Sequence, residues 1–318
     1  MRAIVLTEMG GPERLEPADL PRPSPAAGQI LIRAEVVGVS FAETQIRAGK
    51  LPFPLPLPAV LGAEAAGEVV EVGEGVDEKL LGSTRVGVTG GLGAYAEYVI
   101  MPAAMTCPVP DGVTPTAALA VAAPGAIALG LLHRARLDGG ETVLVEAGTS
   151  SVATYLVRHA KEFGAARVIA TAGSPAKRER AAALGADVVL DHGAPGWQDE
   201  LPDDVDVAFE SIGGMSARRV LDHLTPGSGR LLYYGLLSGE PAAITAADVM
   251  DRGVTLVGCS GPGWAGQVFG THYPEMLARL ASGRSAAHID RTLPLEEAAE
   301  AHRLVESGAT TGRILLQP

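Results

Sequence analysis

The stretch Glu146-Ala-Gly-Thr-Ser-Ser-Val-Ala153 follows a β-branched run, Thr142–Val145, and opens a segment of helical periodicity at residues 152–163. A turn of small residues at such a junction offers unpaired backbone N–H groups at the positive end of a helix, which suits an anionic phosphate. Gly148, Thr149, Ser150, Ser151 and Val152 are the candidate phosphate-facing positions. The turn lacks GxGxxG, so its weight comes from its place between strand and helix, and an ordinary connecting turn would use the same residues. The next β run, Arg167–Thr171, ends at Thr171-Ala-Gly-Ser174 without the carboxylate that binds a ribose 2′-hydroxyl in NAD sites. Instead Ser174 precedes Pro175, a cap with proline at the first helical position, and Lys177 and Arg178 fill the first turn with Arg180 beyond. Cations there oppose the helix dipole by about 0.3–1 kcal/mol each, so a bound anion such as a 2′-phosphate would compensate them. A solvated basic surface is the alternative. The preferred cofactor on this pattern is NADPH.

The elements that must position these residues fall into two textures. Early β-like runs at residues 3–6, 29–36, 66–72, 85–89 and 95–100 are separated by Gly and Pro with almost no helical periodicity, which predicts a barrel-like β domain. Alternating prolines at residues 51–58 forbid regular pairing and favour an extended loop able to wall a pocket. From about residue 123, strand, turn and helix alternate, predicting a doubly wound α/β domain with a parallel sheet covered on both faces. Its later strands end at Ser211-Ile-Gly-Gly214, Gly235-Leu-Leu-Ser238 and Cys259-Ser-Gly-Pro-Gly263, on the edge where a dinucleotide lies, which marks Ser211, Gly235, Leu236 and Ser260. Two helical patterns and a last strand at residues 313–316 are expected to return to the first domain. The expected division is residues 1–122 with 263–318 as one domain and 123–262 as the other.

Composition bounds the function classes. The chain has 318 residues, 47% of them hydrophobic, enough for a sizeable core, and its formal net charge of −12 argues against a nucleic-acid partner. The apolar run at residues 117–132 carries Pro124-Gly125 and is shorter than the roughly 20 residues that span a bilayer, so a buried core segment is expected and no membrane partner. No apolar segment behind a basic stretch opens the chain, and a cytoplasmic location is expected. Cys107 and Cys259 lack metal-site spacing and read as buried small residues.

Gly38-Val-Ser40, Ile46-Arg-Ala-Gly49, Leu61-Gly-Ala-Glu-Ala-Ala-Gly67, Gly93-Ala-Tyr-Ala-Glu-Tyr98, Ala160-Lys-Glu-Phe-Gly164, Ala183-Leu-Gly-Ala-Asp187 and the segment from Leu295 through Thr311-Gly-Arg-Ile314 resemble, in order and over nearly the whole chain, the zinc-free quinone oxidoreductase branch of the medium-chain dehydrogenase/reductase superfamily. The resemblance implies a GroES-like β-barrel catalytic domain, a Rossmann domain, a cleft between them and a homodimer. Zinc-using relatives place a cysteine and a histidine where Ser40 and Ala63 stand, so the implied chemistry is hydride transfer from NADPH to a quinone or to the C=C bond of an α,β-unsaturated carbonyl without zinc, the substrate being a small hydrophobic molecule.

Resemblance and loop position together assign Ser40, Gln45, Arg47 and Lys50 to the catalytic pocket. Arg47 or Lys50 would polarise a carbonyl oxygen, Ser40 would hydrogen-bond substrate or nicotinamide, and Glu43 would orient Arg47, unless Glu43 and Arg47 form a helix-surface ion pair. Glu64 and Tyr95 are expected inside the barrel, and His192 at the adenosine side. Family glycines are replaced by Ser150 and Ala153, and a threonine near the nicotinamide by Ile127. These departures motivate an alternative: a non-redox cyclase, isomerase or lyase on the same fold with weakened nucleotide binding.

Overall fold

The computed structural model describes residues 1–51 and 53–318, and the chain forms two compact units, Met1–Ala123 with Phe269–Pro318, and Pro124–Val268. The first unit opens with strands β1 (Arg2–Leu6), β2 (Leu15–Asp19) and β3 (Gln29–Gly38), a short helix α1 (Phe41–Arg47), then β4 (Ala59–Val60), β5 (Glu64–Val72), β6 (Thr84–Val88), β7 (Tyr98–Pro102) and β8 (Thr106–Pro108). Helix α2 (Pro115–Ala135) leads into the second unit. There β9 (Thr142–Val145), α3 (Ser151–His159), β10 (Arg167–Thr171), α4 (Pro175–Leu184), β11 (Val188–Leu190), β12 (Val207–Glu210), α5 (Gly214–Asp222), β13 (Arg230–Tyr233), α6 (Ala246–Arg252), β14 (Thr255–Gly258) and α7 (Pro262–Gln267) follow in turn. The chain returns with α8 (Tyr273–Ala281), β15 (Ile289–Pro294), α9 (Ala298–Glu306) and β16 (Arg313–Gln317).

The first unit is the GroES-like β domain. One sheet runs β15-β16-β3-β5-β6-β8 with β7 also on β3, and a smaller one runs β2-β1-β4. β3 is the hub because Ile30, Ile32 and Val37 all reach the core, where they meet Leu61, Val99, Met101 and Leu316. β3 and β5 approach so closely at Gly67 that a Cβ there would lie 2.1 Å from the Arg33 carbonyl oxygen. Only glycine fits.

The second unit is the Rossmann domain, with six parallel strands in the order β11-β10-β9-β12-β13-β14. Val143, Leu144, Val145, Val168, Ile169, Ala170, Val207, Ala208 and Phe209 are all fully buried, the continuous apolar pattern expected of strands covered on both faces. The strand order reverses between β9 and β12, and the loops leaving the carboxyl ends of these strands diverge there to leave a crevice.

Three expectations are corrected. The early segment does contain a helix, α1, which lacks an apolar stripe because Glu43, Thr44, Gln45 and Arg47 are among its buried residues. Pro124 does not interrupt its segment: α2 is continuous over 21 residues with the proline inside. That helix is long and apolar enough to cross a membrane, yet 78% of its most apolar window is buried within the protein. The return falls at Phe269, later than the expected residue 263, because α7 belongs to the second unit and the chain turns through a π-helix at Val268–His272. The proline-rich loop has no strand before Ala59, and its Pro52 lies outside the described residues.

Candidate functional site

In the second unit, the turn after β9 is pinned to the end of β10. Gly148 N donates to Thr171 O at 2.8 Å and Ala147 N to the Thr171 hydroxyl at 3.0 Å. A Cβ on Gly148 would lie 2.8 Å from the Ala170 Cβ, so packing against β10 requires the glycine. Thr149 is buried behind the turn, while Ser150, Ser151 and Val152 are half-buried at its surface. Ser150 is the N-cap of α3, and its side chain makes no capping bond. The first N–H groups of α3 therefore keep their capacity for an external acceptor, and the helix dipole favours an anion.

Ser174 caps α4, accepting from Lys177 N at 3.4 Å, with Pro175 at the first helical position. Arg178 does not share the cation role expected beside Lys177, because it is paired with Asp191 at 2.6 Å. His192 Nδ1 lies 3.0 Å from the Thr171 hydroxyl. That hydroxyl also accepts from Ala147 N, so one side chain ties the turn after β9 to the His192 ring. Burial lowers the His192 pKa, with Asp191 opposing it in part and Lys177 adding a smaller push downward, which favours the neutral ring.

The turn, Ser174, Lys177 and His192 thus converge at the carboxyl edge of β9, β10 and β11. Ser211 follows β12 and is buried; Gly235 packs on it so closely that a Cβ would lie 2.8 Å from Ser211 O. Leu236 is half-buried beyond β13, and Ser260 is exposed beyond β14. A cavity of about 520 Å³ opens at the same edge, lined among others by Glu146, His192, Trp197, Gln198, Ser216 and Arg219.

Its most unusual component escaped the sequence reading. Glu146, after β9, and Glu210, closing β12, are 1% and 0% exposed, follow directly on the paired residues Val145 and Phe209, and each keeps one buried carboxyl oxygen, Oε2, that accepts no N–H or O–H bond. Glu210 Oε1 accepts from Ile212 N and Gly213 N, both at 2.8 Å, and Glu146 Oε1 accepts from the Ser216 hydroxyl at 3.0 Å. Burial pushes both carboxyls up, and Glu146 stands well above the ordinary range because the neighbouring Glu210 charge adds to its burial. The available signal was an acid at the end of each of two wholly apolar strands.

In the first unit, Ser40 and Glu43 form a reciprocal capping box at the start of α1: Ser40 N donates to Glu43 Oε2 at 2.8 Å and Glu43 N to Ser40 Oγ at 3.3 Å. Ala63 N donates to Glu43 Oε1 at 2.8 Å, and the Tyr95 hydroxyl to Oε2 at 2.9 Å. Glu43 therefore ties together the backbone of Ser40 and Ala63, the two positions that distinguish the zinc question. Burial pushes its pKa up to about 7. The Tyr95 hydroxyl also lies 3.0 Å from His302 Nε2; burial lowers the His302 pKa to about 3, so a neutral Nε2–H donates to the tyrosine.

Two of the expected catalytic side chains are turned inward. Arg47 is 2% exposed and ion-paired with Glu306, so Glu43 neither orients it nor pairs with it on a helix surface. Gln45 is buried and donates to the Thr44 hydroxyl at 3.0 Å. Ser40 remains half-buried with its hydroxyl proton uncommitted to the cap, and Lys50 is exposed. Glu64 and Tyr95 lie inside the barrel, Glu64 paired with Arg313 at 3.1 Å.

Comparison with known proteins adds the lineage. Residues 26–111 match the alcohol dehydrogenase GroES-like domain family and residues 184–316 a zinc-binding dehydrogenase family. A mycobacterial protein solved in complex with NADPH is 32% identical with a TM-score of 0.90 over 100% of both chains. The chain belongs to the medium-chain dehydrogenase/reductase superfamily, in its quinone oxidoreductase-like branch. Within this superfamily, the quinone oxidoreductase of Pseudomonas aeruginosa is 29% identical over 100% of this chain and 99% of its own length. The 2-haloacrylate reductase of a Burkholderia species is 29% identical over 99% and 98%. The Escherichia coli quinone oxidoreductase, solved with NADPH, is 28% identical with a TM-score of 0.90 over 100% of both chains.

Proposed function

We propose that this protein is an NADPH-dependent oxidoreductase that reduces a quinone or the C=C bond of an α,β-unsaturated carbonyl without zinc. The observation that carries the reading is the uncapped start of α3 beside Ser174 and Lys177, together a cradle for two phosphates. The NADPH-complexed relatives and those named for quinone and haloacrylate reduction support it. When bound, NADPH supplies a hydride to the electrophilic carbon. The N–H groups of Ser151 and Val152 would hold the pyrophosphate, with Ser150 beside them at the cap, its own N–H spent on Ala147 O, and Ser174 and Lys177 would hold the 2′-phosphate. His192, neutral and fixed by Thr171, meets the adenosine side, and Ser211, Gly235, Leu236 and Ser260 line the edge along which the dinucleotide extends. In the first unit the Ser40 hydroxyl would donate a hydrogen bond to a substrate oxygen, and the exposed Lys50 is a cation able to stabilise developing negative charge.

Zinc independence rests on the ligand positions themselves. Ala63 has no donor atom, and the Ser40 oxygen serves the α1 cap. The non-redox alternative draws on Ser150, Ala153 and Ile127, but a turn that had lost its phosphate would gain from capping its own helix, and Ser150 does not do so. The homodimer implied by the resemblance is also proposed, with β14 as the free edge of its sheet and Leu256 exposed on it. Light scattering of the purified protein reads that assembly directly.

Titration with NADPH and NADH, following nucleotide fluorescence, tests the cofactor. NADPH is expected to bind more tightly, and Lys177→Ala to weaken it about 10- to 100-fold while leaving NADH nearly unchanged, the equivalent of one charge-assisted contact. Absence of binding of either nucleotide at millimolar concentration would sink the reductase reading.

A further inference from the structure

The Glu146–Glu210 pair has no part in the proposed reaction, and a buried acid pair is costly to keep without one. Glu146 is both a wall of the 520 Å³ cavity and a member of the pair, so charge on the pair is felt directly by anything in that cavity. We propose that Glu146 and Glu210 share one proton, and that a phosphate-bearing ligand at this edge binds with the proton retained, making nucleotide affinity proton-linked.

The geometry assigns the charges. Glu210 holds the negative charge, which Ile212 N and Gly213 N stabilise, and Glu146 holds the proton and donates it to Glu210 while accepting from Ser216. With the proton in place the pair carries one negative charge; without it, two. Among the described residues lining the cavity, Arg219 of α5 is the cation. His192 lines the cavity from the end of β11 and is neutral, and Gln198 donates to Ser216 at 3.3 Å. From the β13 side Tyr233 and Tyr234 feel Glu210, and burial holds both phenols neutral. Among the described residues lining the cavity Arg219 is the one cation, so a second negative charge on the pair is unmatched. An incoming pyrophosphate and 2′-phosphate add more, so ligand binding raises the pair's hold on its proton, and by linkage loss of the proton weakens the ligand.

This inference rests on the NADPH reading, and the experiment separates the two. NADPH binding is followed from pH 6 to 9 for the wild-type protein and Glu146→Gln, together with thermal unfolding of both in the absence of nucleotide. The 2′-phosphate and His192 are present in both proteins and cancel in the comparison. The wild-type dissociation constant is expected to rise with pH more steeply than that of the variant, by at most about tenfold per pH unit for one linked proton. Wild-type unfolding temperature is expected to fall more steeply too. Parallel unfolding slopes would show that no proton is shared and overturn the inference. Divergent unfolding slopes with parallel binding slopes would also overturn it, leaving NADPH binding intact. Failure of either protein to bind NADPH at any pH would remove the cofactor reading and the inference with it. Should Glu146→Gln not fold, Ser216→Ala serves: it removes a bond that stabilises ionised Glu146, so the pH range of weakening must move upward, and an unmoved range overturns the inference.

Discussion

Glu43 accepts from two backbone N–H groups and a phenol while fully buried, and its pKa is pushed up to about 7. A folded-state pKa above the unfolded one means the folded protein holds the proton more tightly, so stability falls as pH rises from about 4.5 towards 7 and then levels. Glu43→Gln removes that slope and sets an amide N–H against a donor it displaces, costing about 1–3 kcal/mol. The cost is expected to be larger at pH 5 than at pH 8, because only the wild-type protein gains from protonation. Urea unfolding of both proteins at the two pH values reads this, and a cost that grows with pH contradicts the assignment. Tyr95→Phe is expected to destabilise by a similar amount, about 1–3 kcal/mol, since it strips a partner from both Glu43 and His302.

At the scale of elements, α4 is fixed by its ends. Ser174 and Pro175 start it and Gly185, at φ 118°, stops it in the left-handed region. Ser174→Ala is expected to cost about 1 kcal/mol of stability and Gly185→Ala a similar amount, but only the first should also weaken NADPH, a split that unfolding and titration together resolve. These punctuated elements were legible from sequence, as were β9, β10 and the strand-to-turn junction, because β-branched runs and small residues alternate there. Less was legible where the buried face is polar or the element is short. α1 buries four polar side chains and so offers no apolar stripe, which is why the burial of Arg47 against Glu306 and of Gln45 against Thr44 was not legible. α5 begins at Gly213-Gly214, which reads as a turn, and half-exposed β15 has no clean alternation. Arg178 was misplaced because its partner Asp191 lies beyond another strand, a pairing that sequence spacing does not display. Glu146 was absorbed into a phosphate turn, and only the register of β12 beside β9 shows that it faces Glu210.

For the molecule as a whole, the second unit is an insertion between two segments of the first. The first unit's sheet closes only when β16 pairs with β3, Leu315 opposite Gly38 and Leu316 opposite Val37. Ile314, Leu315 and Leu316 are each at most 1% exposed. Removing residues 313–318 is therefore expected to leave the first unit unable to fold while the second keeps its own core, which limited proteolysis should register as a resistant fragment within residues 124–268. The same pairing sets a timetable at the ribosome. At about 5–20 residues per second, β3 waits tens of seconds for the strand that covers it, whereas the parallel sheet is finished sooner from consecutive chain. During that interval the end of β3 at Val37 and Gly38 is an unpaired strand edge open to other chains, so the unit made first is the one that matures last.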